Sequence, residues 1–257
     1  MIKFFRKIRQ KLLSENKFSK YLIYAVGEIV LVIIGILLAL QINEWNGQKK
    51  DIRTLQNDLE YVLEDIAEDK TDLLILRDQR KTGAQGCSKF LDEFMKGGEM
   101  KGFSYWINNN LNEVFYERKF KRNQNGFDKV LSSKLFQDAE FKTLREKIDE
   151  YVNEIERLIY DEERLNYFIE EKELEAFSNG NFSILYEHNR VREGFSNVES
   201  ANNEIDWQNI LNSKSSLKAI LLRYEDDVIR LLIPQYGETI DVGTELQLAI
   251  EKYLSEL

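Results

Sequence analysis

One acidic side chain, Glu28, lies inside an apolar run of nineteen residues, Leu22 to Leu40, of which thirteen are Leu, Ile or Val. A carboxyl group in such a run has two chemical uses: it can hold a proton or ion, or it can hydrogen-bond to a neighbouring helix. Small or apolar residues recur at every fourth position beside it, at Gly27, Leu31, Gly35 and Ala39. This small-x-x-x-small spacing predicts helix association next to Glu28, with an ion-coupled, stator-like site as the sharper alternative.

Other groups able to do chemistry are few. His188 is the only histidine and Cys87 the only cysteine, about a hundred residues apart, which argues against a zinc site or a carboxylate-bridged di-iron site. The sequence contains no nucleophile-elbow, phosphate-loop or dinucleotide-binding motif. Acidic runs such as Asp161-Glu162-Glu163 are typical of solvated helix faces. We therefore expect no enzymatic activity, no cofactor and no metal.

The apolar run predicts a transmembrane helix over residues 21–42. A helix of nineteen residues, at about 1.5 Å per residue, covers roughly the 30 Å hydrocarbon core of a bilayer. A cleaved signal peptide is the competing interpretation. It is disfavoured because the run is longer than a typical signal core of about 7–15 residues and has no Ala-x-Ala cleavage pattern. The pattern favours an uncleaved signal anchor.

Charges around the run predict its orientation. The basic positions before it are Lys3, Arg6, Lys7, Arg9, Lys11, Lys17 and Lys20, against Glu15 alone. By the positive-inside rule the amino terminus is cytoplasmic and residues from about Asn43 onward are extracytoplasmic. Residues 1–20 also read as a basic amphipathic segment at the lipid interface, with Trp45 as the aromatic anchor at the other end of the span. Alternatively, these basic residues serve only to set the topology.

Residues 43–257 form the predicted outer domain. This region holds 29 Lys or Arg and 43 Asp or Glu, a net charge of −14. Such an average charge argues against nucleic acid and anionic lipid as its ligands. A single proline in 257 residues indicates that helix dominates. The sequence therefore predicts an all-α fold, with one transmembrane helix followed by a helical extracytoplasmic bundle.

Two long amphipathic helices are expected in the outer domain. The first carries a coiled-coil-like a/d seam, interrupted only by Asp69, at Ile52, Leu55, Leu59, Val62, Ile66, Leu73 and Leu76. It belongs either to a coiled-coil dimer or to an intrachain bundle, and Gly83 and Gly86 are expected to end it. Residues such as Phe90, Leu91 and Phe94 are then expected in short helices.

The second long helix is predicted from about Phe141 to Phe177, with Ser178, Asn179 and Gly180 ending it. A polar connection holding His188 follows, and Asp206 is expected to cap a helix. Pro234 should kink or end the next helical run, and a final helix is expected over Ile240 to Leu254.

The first 46 residues, MIKFFRKIRQKLLSENKFSKYLIYAVGEIVLVIIGILLALQINEWN, resemble the amino-terminal signature of a family of uncharacterised bacterial single-pass membrane proteins, classed as a domain of unknown function. Gly27-Glu28-Ile29, Gly35-Ile36 and the run from Ala39 to Asn46 carry the resemblance. It implies a location in the bacterial cytoplasmic (inner) membrane, and it implies no activity.

These patterns predict a non-enzymatic, membrane-anchored helical interaction or scaffold module of the bacterial cell envelope. Its partners would be membrane lipid together with a second copy of itself or another membrane or envelope protein, and not nucleic acid. The alternatives are a helical sensor domain for a small ligand and the ion-coupled subunit that uses Glu28.

Overall fold

A computed structural model describes residues 18–98, 100, 102–178, 205–211 and 214–256. Every element of secondary structure among these residues is a helix or helical turn and none is a β-strand, which confirms the all-α prediction. The helices are α1 (Phe18–Met95), α2 (Phe103–Asn108), α3 (Asn125–Ser132), α4 (Lys142–Ser178), α5 (Trp207–Ile210), α6 (Ser216–Asp227) and α7 (Ile233–Ser255). Short 3₁₀ turns occupy Leu111–Phe115, Leu135–Gln137 and Ala139–Phe141.

The chain divides into two compact units, Met1–Asn57 and Asp58–Leu257. Among the described residues, α1 is the single helix long and apolar enough to cross a membrane, and its most apolar window contains no buried residue. The predicted interfacial residues Lys3, Arg6, Lys7, Arg9 and Lys11 lie outside the described part of the chain.

The prediction that Gly83 and Gly86 end the first long helix is wrong. α1 continues to Met95 and includes Phe90, Leu91 and Phe94, which the sequence had suggested belong to later helices. Both glycines are sites of close approach. A Cβ atom at residue 83 would lie 2.9 Å from the Tyr224 hydroxyl, and one at residue 86 would overlap the carbonyl oxygen of Asn109.

The core of the second unit forms where the amphipathic faces meet. The seam residues Leu59, Val62, Ile66 and Leu73 of α1 are all fully buried within this one chain. α4 spans nearly the predicted range and packs against α6 and α7. Its predicted stripe is buried at Leu144, Ile148, Tyr151, Ile155, Leu158 and Leu165.

Pro234 lies in the first turn of α7, where a proline needs no helical N–H partner. A π-helical turn, Val228–Leu232, precedes it and joins α6 to α7. The N–H of Ile233 donates to the carbonyl of Val228, five residues back. The final helix therefore begins seven residues before the predicted Ile240.

An aromatic cluster packs the end of α1 against α2 and α5. The Phe90 ring lies 5.9 Å from Trp106 and 5.5 Å from Trp207, and the two indoles stack at 5.2 Å. Asp206 caps α5 as predicted, accepting the N–H of Gln208 at 3.0 Å. Cys87 is fully buried, and this burial raises the pKa of its thiol.

Candidate functional site

The apolar part of α1 carries the residues that the sequence singled out. Glu28 is partly exposed and lines a groove of about 380 Å³ with Ala25, Ile29, Val32 and Ile33. Gly27 and Gly35 have open space where a Cβ would lie, and Leu31 and Ala39 are exposed. This helix face is available for close approach by another helix.

Trp45 marks the end of the apolar run. Its indole is 56% exposed, and the Lys49 ammonium lies 3.8 Å from the ring centroid, in cation–π contact. An exposed indole paired with a lysine is the kind of group that favours a membrane–water interface.

In the second unit, four buried charged side chains, Asp65, Asp69, Arg80 and Glu162, lie around residues 117–124, which are not helical. We call this stretch the extended segment. Backbone N–H and C=O groups that belong to neither a helix nor a strand need other hydrogen-bond partners. Buried side chains of α1 and α4 supply the partners instead, in two clusters at its two ends.

The Arg80–Glu162 cluster holds the beginning of the extended segment. Glu162 accepts the N–H of Phe120 at 2.6 Å and the hydroxyl of Tyr236. Arg80 donates Nη2 to the carbonyl of Arg118 at 2.7 Å and to Asn166 Oδ1 at 3.0 Å. Arg80 and Glu162 are both fully buried. Nε and Nη1 of Arg80 and the hydroxyl of the neighbouring Tyr224 have no hydrogen-bond partner among the described residues.

The Asp65–Asp69 cluster holds the other end. Asp69 Oδ1 accepts the N–H of Asn123 at 2.8 Å, and its Oδ2 accepts the hydroxyl of Tyr151 at 3.0 Å. Asp65, one turn earlier on α1, accepts the N–H of Gly126 at 2.7 Å. Two like charges therefore lie on the same helix face in this cluster.

Burial dominates the electrostatics of both clusters. Desolvation raises the pKa of Asp69, and the charge of Asp65 raises it further, while the hydrogen bonds from Asn123 and Tyr151 lower it. Desolvation also raises the pKa of Glu162, against the hydrogen bonds from Phe120 and Tyr236 and the charge of Arg80. The pKa values of Tyr151 and Tyr236 are raised by the same burial.

These clusters are arranged for support of the backbone. Both carboxylate oxygens of Glu162 and both of Asp69 accept hydrogen bonds from N–H and O–H donors of the chain itself. Among the described residues no group of three or more His, Cys, Asp or Glu could hold a metal ion. His188 lies outside the described residues.

Two surface grooves flank the extended segment. One, of about 620 Å³, lies between Lys119–Gln124 and the α4 residues Val152, Ile155, Glu156 and Ile159. The other, of about 330 Å³, contains Tyr116, Glu117, Tyr167 and Glu170. Lys119 lines both grooves and pairs with Glu163.

In the sequence, Asp69 stands out only as a polar interruption of a seam, and Glu162 belongs to an acidic run typical of solvated helix faces. Both are buried acceptors. A signal was present for Asp69, since a lone acid in an apolar seam needs donors. The i, i+4 spacing of Leu158, Glu162 and Asn166 likewise places the latter two beside a buried position.

Comparison with known proteins adds no relative: no family model, no curated protein and no solved structure matches this chain. The resemblance of residues 1–46 to a bacterial membrane-protein family stays a prediction.

Proposed function

We propose that this chain is a non-enzymatic, membrane-anchored helical interaction module. The observation that carries the proposal is the apolar run of α1: its side chains are exposed in the isolated chain, yet the same helix continues into a packed domain. The fourteen exposed Leu, Ile and Val side chains between Leu22 and Ile42 require a lipid environment or a helical partner. The second unit then serves as the part that other envelope components contact.

The charge pattern supports an amino terminus inside the cytoplasm of a bacterial cell, with the helical domain outside it. Gly27, Gly35 and the carboxyl group of Glu28 support self-association, or association with another membrane protein, through the span.

Membrane anchoring is tested with the double variant Val32→Lys/Ile33→Lys in the full chain. Each lysine near the centre of a span costs about 2.5–3.5 kcal/mol of insertion free energy, so two should offset most of the gain from the aliphatic residues. We expect this variant to leave the membrane pellet on alkaline carbonate washing.

The matched control is Leu74→Lys/Ile75→Lys, the same chemistry on the same helix. Leu74 and Ile75 are 41% and 50% exposed, close to 55% and 50% for Val32 and Ile33. The control should stay in the pellet with the wild type. Anchoring is excluded if the wild type is extracted by carbonate.

Interaction is tested by crosslinking and affinity capture from native membranes, with a chain lacking residues 1–46 and with Glu28→Gln. The scaffold proposal expects a recovered partner, or a crosslinked second copy, that survives Glu28→Gln, because glutamine still hydrogen-bonds across a helix interface. Loss of a multi-span partner on Glu28→Gln would favour the ion-coupled alternative instead.

A further inference from the structure

We propose that the larger groove, between the extended segment and α4, binds the carboxylate and alkyl chain of a medium-chain fatty acid. This ligand site is independent of the membrane anchor proposed above. It rests on the shape and charge of one surface of the helical domain.

The floor of the groove is aliphatic. Val152, Ile155 and Ile159 lie on one face of α4 at i, i+3 and i+7, and Val152 and Ile159 are only partly buried by the chain itself. From Val152 to Ile159 the helix rises about 10 Å, at roughly 1.5 Å per residue. A volume of about 620 Å³ lies within the range of small-molecule sites, which is roughly 300–1,000 Å³. The floor thus suits a single alkyl chain.

The wall opposite α4 is cationic. The stretch Arg118-Lys119-Phe120-Lys121-Arg122 places four cations within five residues of an otherwise acidic domain. Two of the four are already paired, Arg118 with Glu113 and Lys119 with Glu163. Lys121 is exposed and makes no ion pair within the described part of the chain, which leaves its ammonium free for an external anion.

Arg122 adds a second cation to this wall. The side chain is half-buried, and its guanidinium lies 5.1 Å from the centroid of the buried Phe127 ring. Its Nη1 is enclosed by the protein, so a ligand in the groove meets the positive charge of Arg122 and not this N–H. A carboxylate in the groove is attracted by that charge.

The local charge differs from the average charge. The residues lining the groove carry three cations and one carboxylate, Glu156, although residues 43–257 carry a net −14. At physiological salt, charges beyond about 8 Å are largely screened, so a ligand in the groove responds to its lining. The average charge therefore excludes an anionic bilayer surface but does not exclude one bound carboxylate.

Glu156 allows a test in which two variants should have opposite effects. It lines the groove, is exposed and has no ion pair among the described residues. Removing Glu156 should strengthen carboxylate binding, whereas removing Lys121 should weaken it. An uncharged alkyl ligand should respond to neither change.

The test uses the full chain in nanodiscs of zwitterionic phospholipid and a photoactivatable decanoate probe. Crosslinked peptides are mapped by mass spectrometry, and unlabelled decanoate or decanol competes. We expect crosslinks to residues 119–124 and 152–159. Half-competition by decanoate should need about two- to fivefold more ligand in Lys121→Gln and about two- to fivefold less in Glu156→Gln.

Lys129→Gln is the matched control, since Lys129 lies 3.6 Å from the Tyr61 ring centroid, outside the groove, and should not change competition. Crosslinks confined to residues 22–40, or equal competition by decanol with no opposite shift in the two variants, would overturn the proposal. Lys121 and Glu156 are both exposed, so neither variant should disturb folding.

Discussion

The two clusters that hold the extended segment use the same chemistry with opposite electrostatics. In each, a buried carboxylate accepts one backbone N–H of the segment and one tyrosine hydroxyl. The Glu162 carboxylate feels the buried cation of Arg80, whereas the Asp69 carboxylate feels the like charge of Asp65. Hydrogen bonding to the segment is therefore common to both ends, while charge compensation is confined to one. Variants that separate the two contributions should behave differently at the two ends.

The largest effect is expected from Arg80→Met. Methionine approximates the volume of the arginine stem, but the change removes the donor to the Arg118 carbonyl and leaves Glu162 buried without its cation. Arg80 makes no ion pair with Glu162, but its loss removes two hydrogen bonds from a buried charged donor and the attraction of its charge at Glu162, which together cost about 3 kcal/mol of the free energy of unfolding. Because Cys87 is the only cysteine and is buried, its labelling by a thiol reagent during denaturant titration reports this loss.

The double variant Arg80→Met/Glu162→Gln is the control for charge. If the pair is coupled, the double variant should cost less than the sum of the two single variants, because neither charge is then left alone. Strict additivity would show that Arg80 acts only through its hydrogen bonds to the segment.

The second-largest effect is expected from a steric change at the Asp65–Asp69 cluster. In Gly126→Ala, the new methyl group would overlap the backbone of Tyr61 and Val62 on α1, and the N–H bonded to Asp65 would move with it. Overpacking of this kind costs about 1–3 kcal/mol of the free energy of unfolding, measured by the same Cys87 labelling.

Gly237→Ala is its matched control. Residue 237 is also helical, and nothing lies within 4 Å of its Cβ position, so alanine should stabilise the protein by about 0.5–1 kcal/mol. A Gly126→Ala protein as stable as the wild type would mean that α3 can move away from α1 at this contact without a loss of stability.

Helix positions in this chain were largely predictable from local pattern, and the segment between them was not. The period of α4, the cap at Asp206 and the apolar run of α1 are signals written in adjacent residues. The prediction that Gly83 and Gly86 end α1 was wrong because the sequence alone does not distinguish a glycine that permits close packing from one that ends a helix.

The two clusters escaped prediction for a different reason. Asp69 bonds a residue 54 positions away and Glu162 one 42 positions away, and no local periodicity encodes such pairings. The position of Asp69 in an apolar seam indicates that the side chain needs donors, but it does not indicate which N–H supplies them.

A smaller effect is expected from the two isosteric neutral variants, Asp69→Asn and Glu162→Gln. Asp69→Asn keeps an oxygen for the Asn123 N–H and removes repulsion from Asp65, while Glu162→Gln keeps an oxygen for the Phe120 N–H but removes the attraction to Arg80. We expect Glu162→Gln to lower the free energy of unfolding by about 1–2 kcal/mol more than Asp69→Asn, as measured by denaturant titration. Equal costs would mean that hydrogen bonding alone decides stability at both ends.

The smallest effect is the pH dependence of Asp69→Asn. In the folded protein the pKa of Asp69 is raised above its ordinary value of 3.8, so the folded state holds this proton more tightly than the unfolded state does. The stability that this group contributes is complete below that ordinary value and is lost as pH rises toward the folded pKa. Asparagine does not titrate.

The free energy of unfolding of Asp69→Asn relative to the wild type should therefore become more favourable as pH rises from below 3.8 to neutral. The raised pKa of Glu162 is present in both proteins, so its contribution partly cancels in the difference, which far-UV circular dichroism can follow across the whole pH range. A difference that moves the other way would show that the hydrogen bonds from Asn123 and Tyr151 outweigh burial at Asp69. The Asp69 carboxylate would then be held more favourably than the Glu162 carboxylate, whose pKa burial raises despite the cation of Arg80.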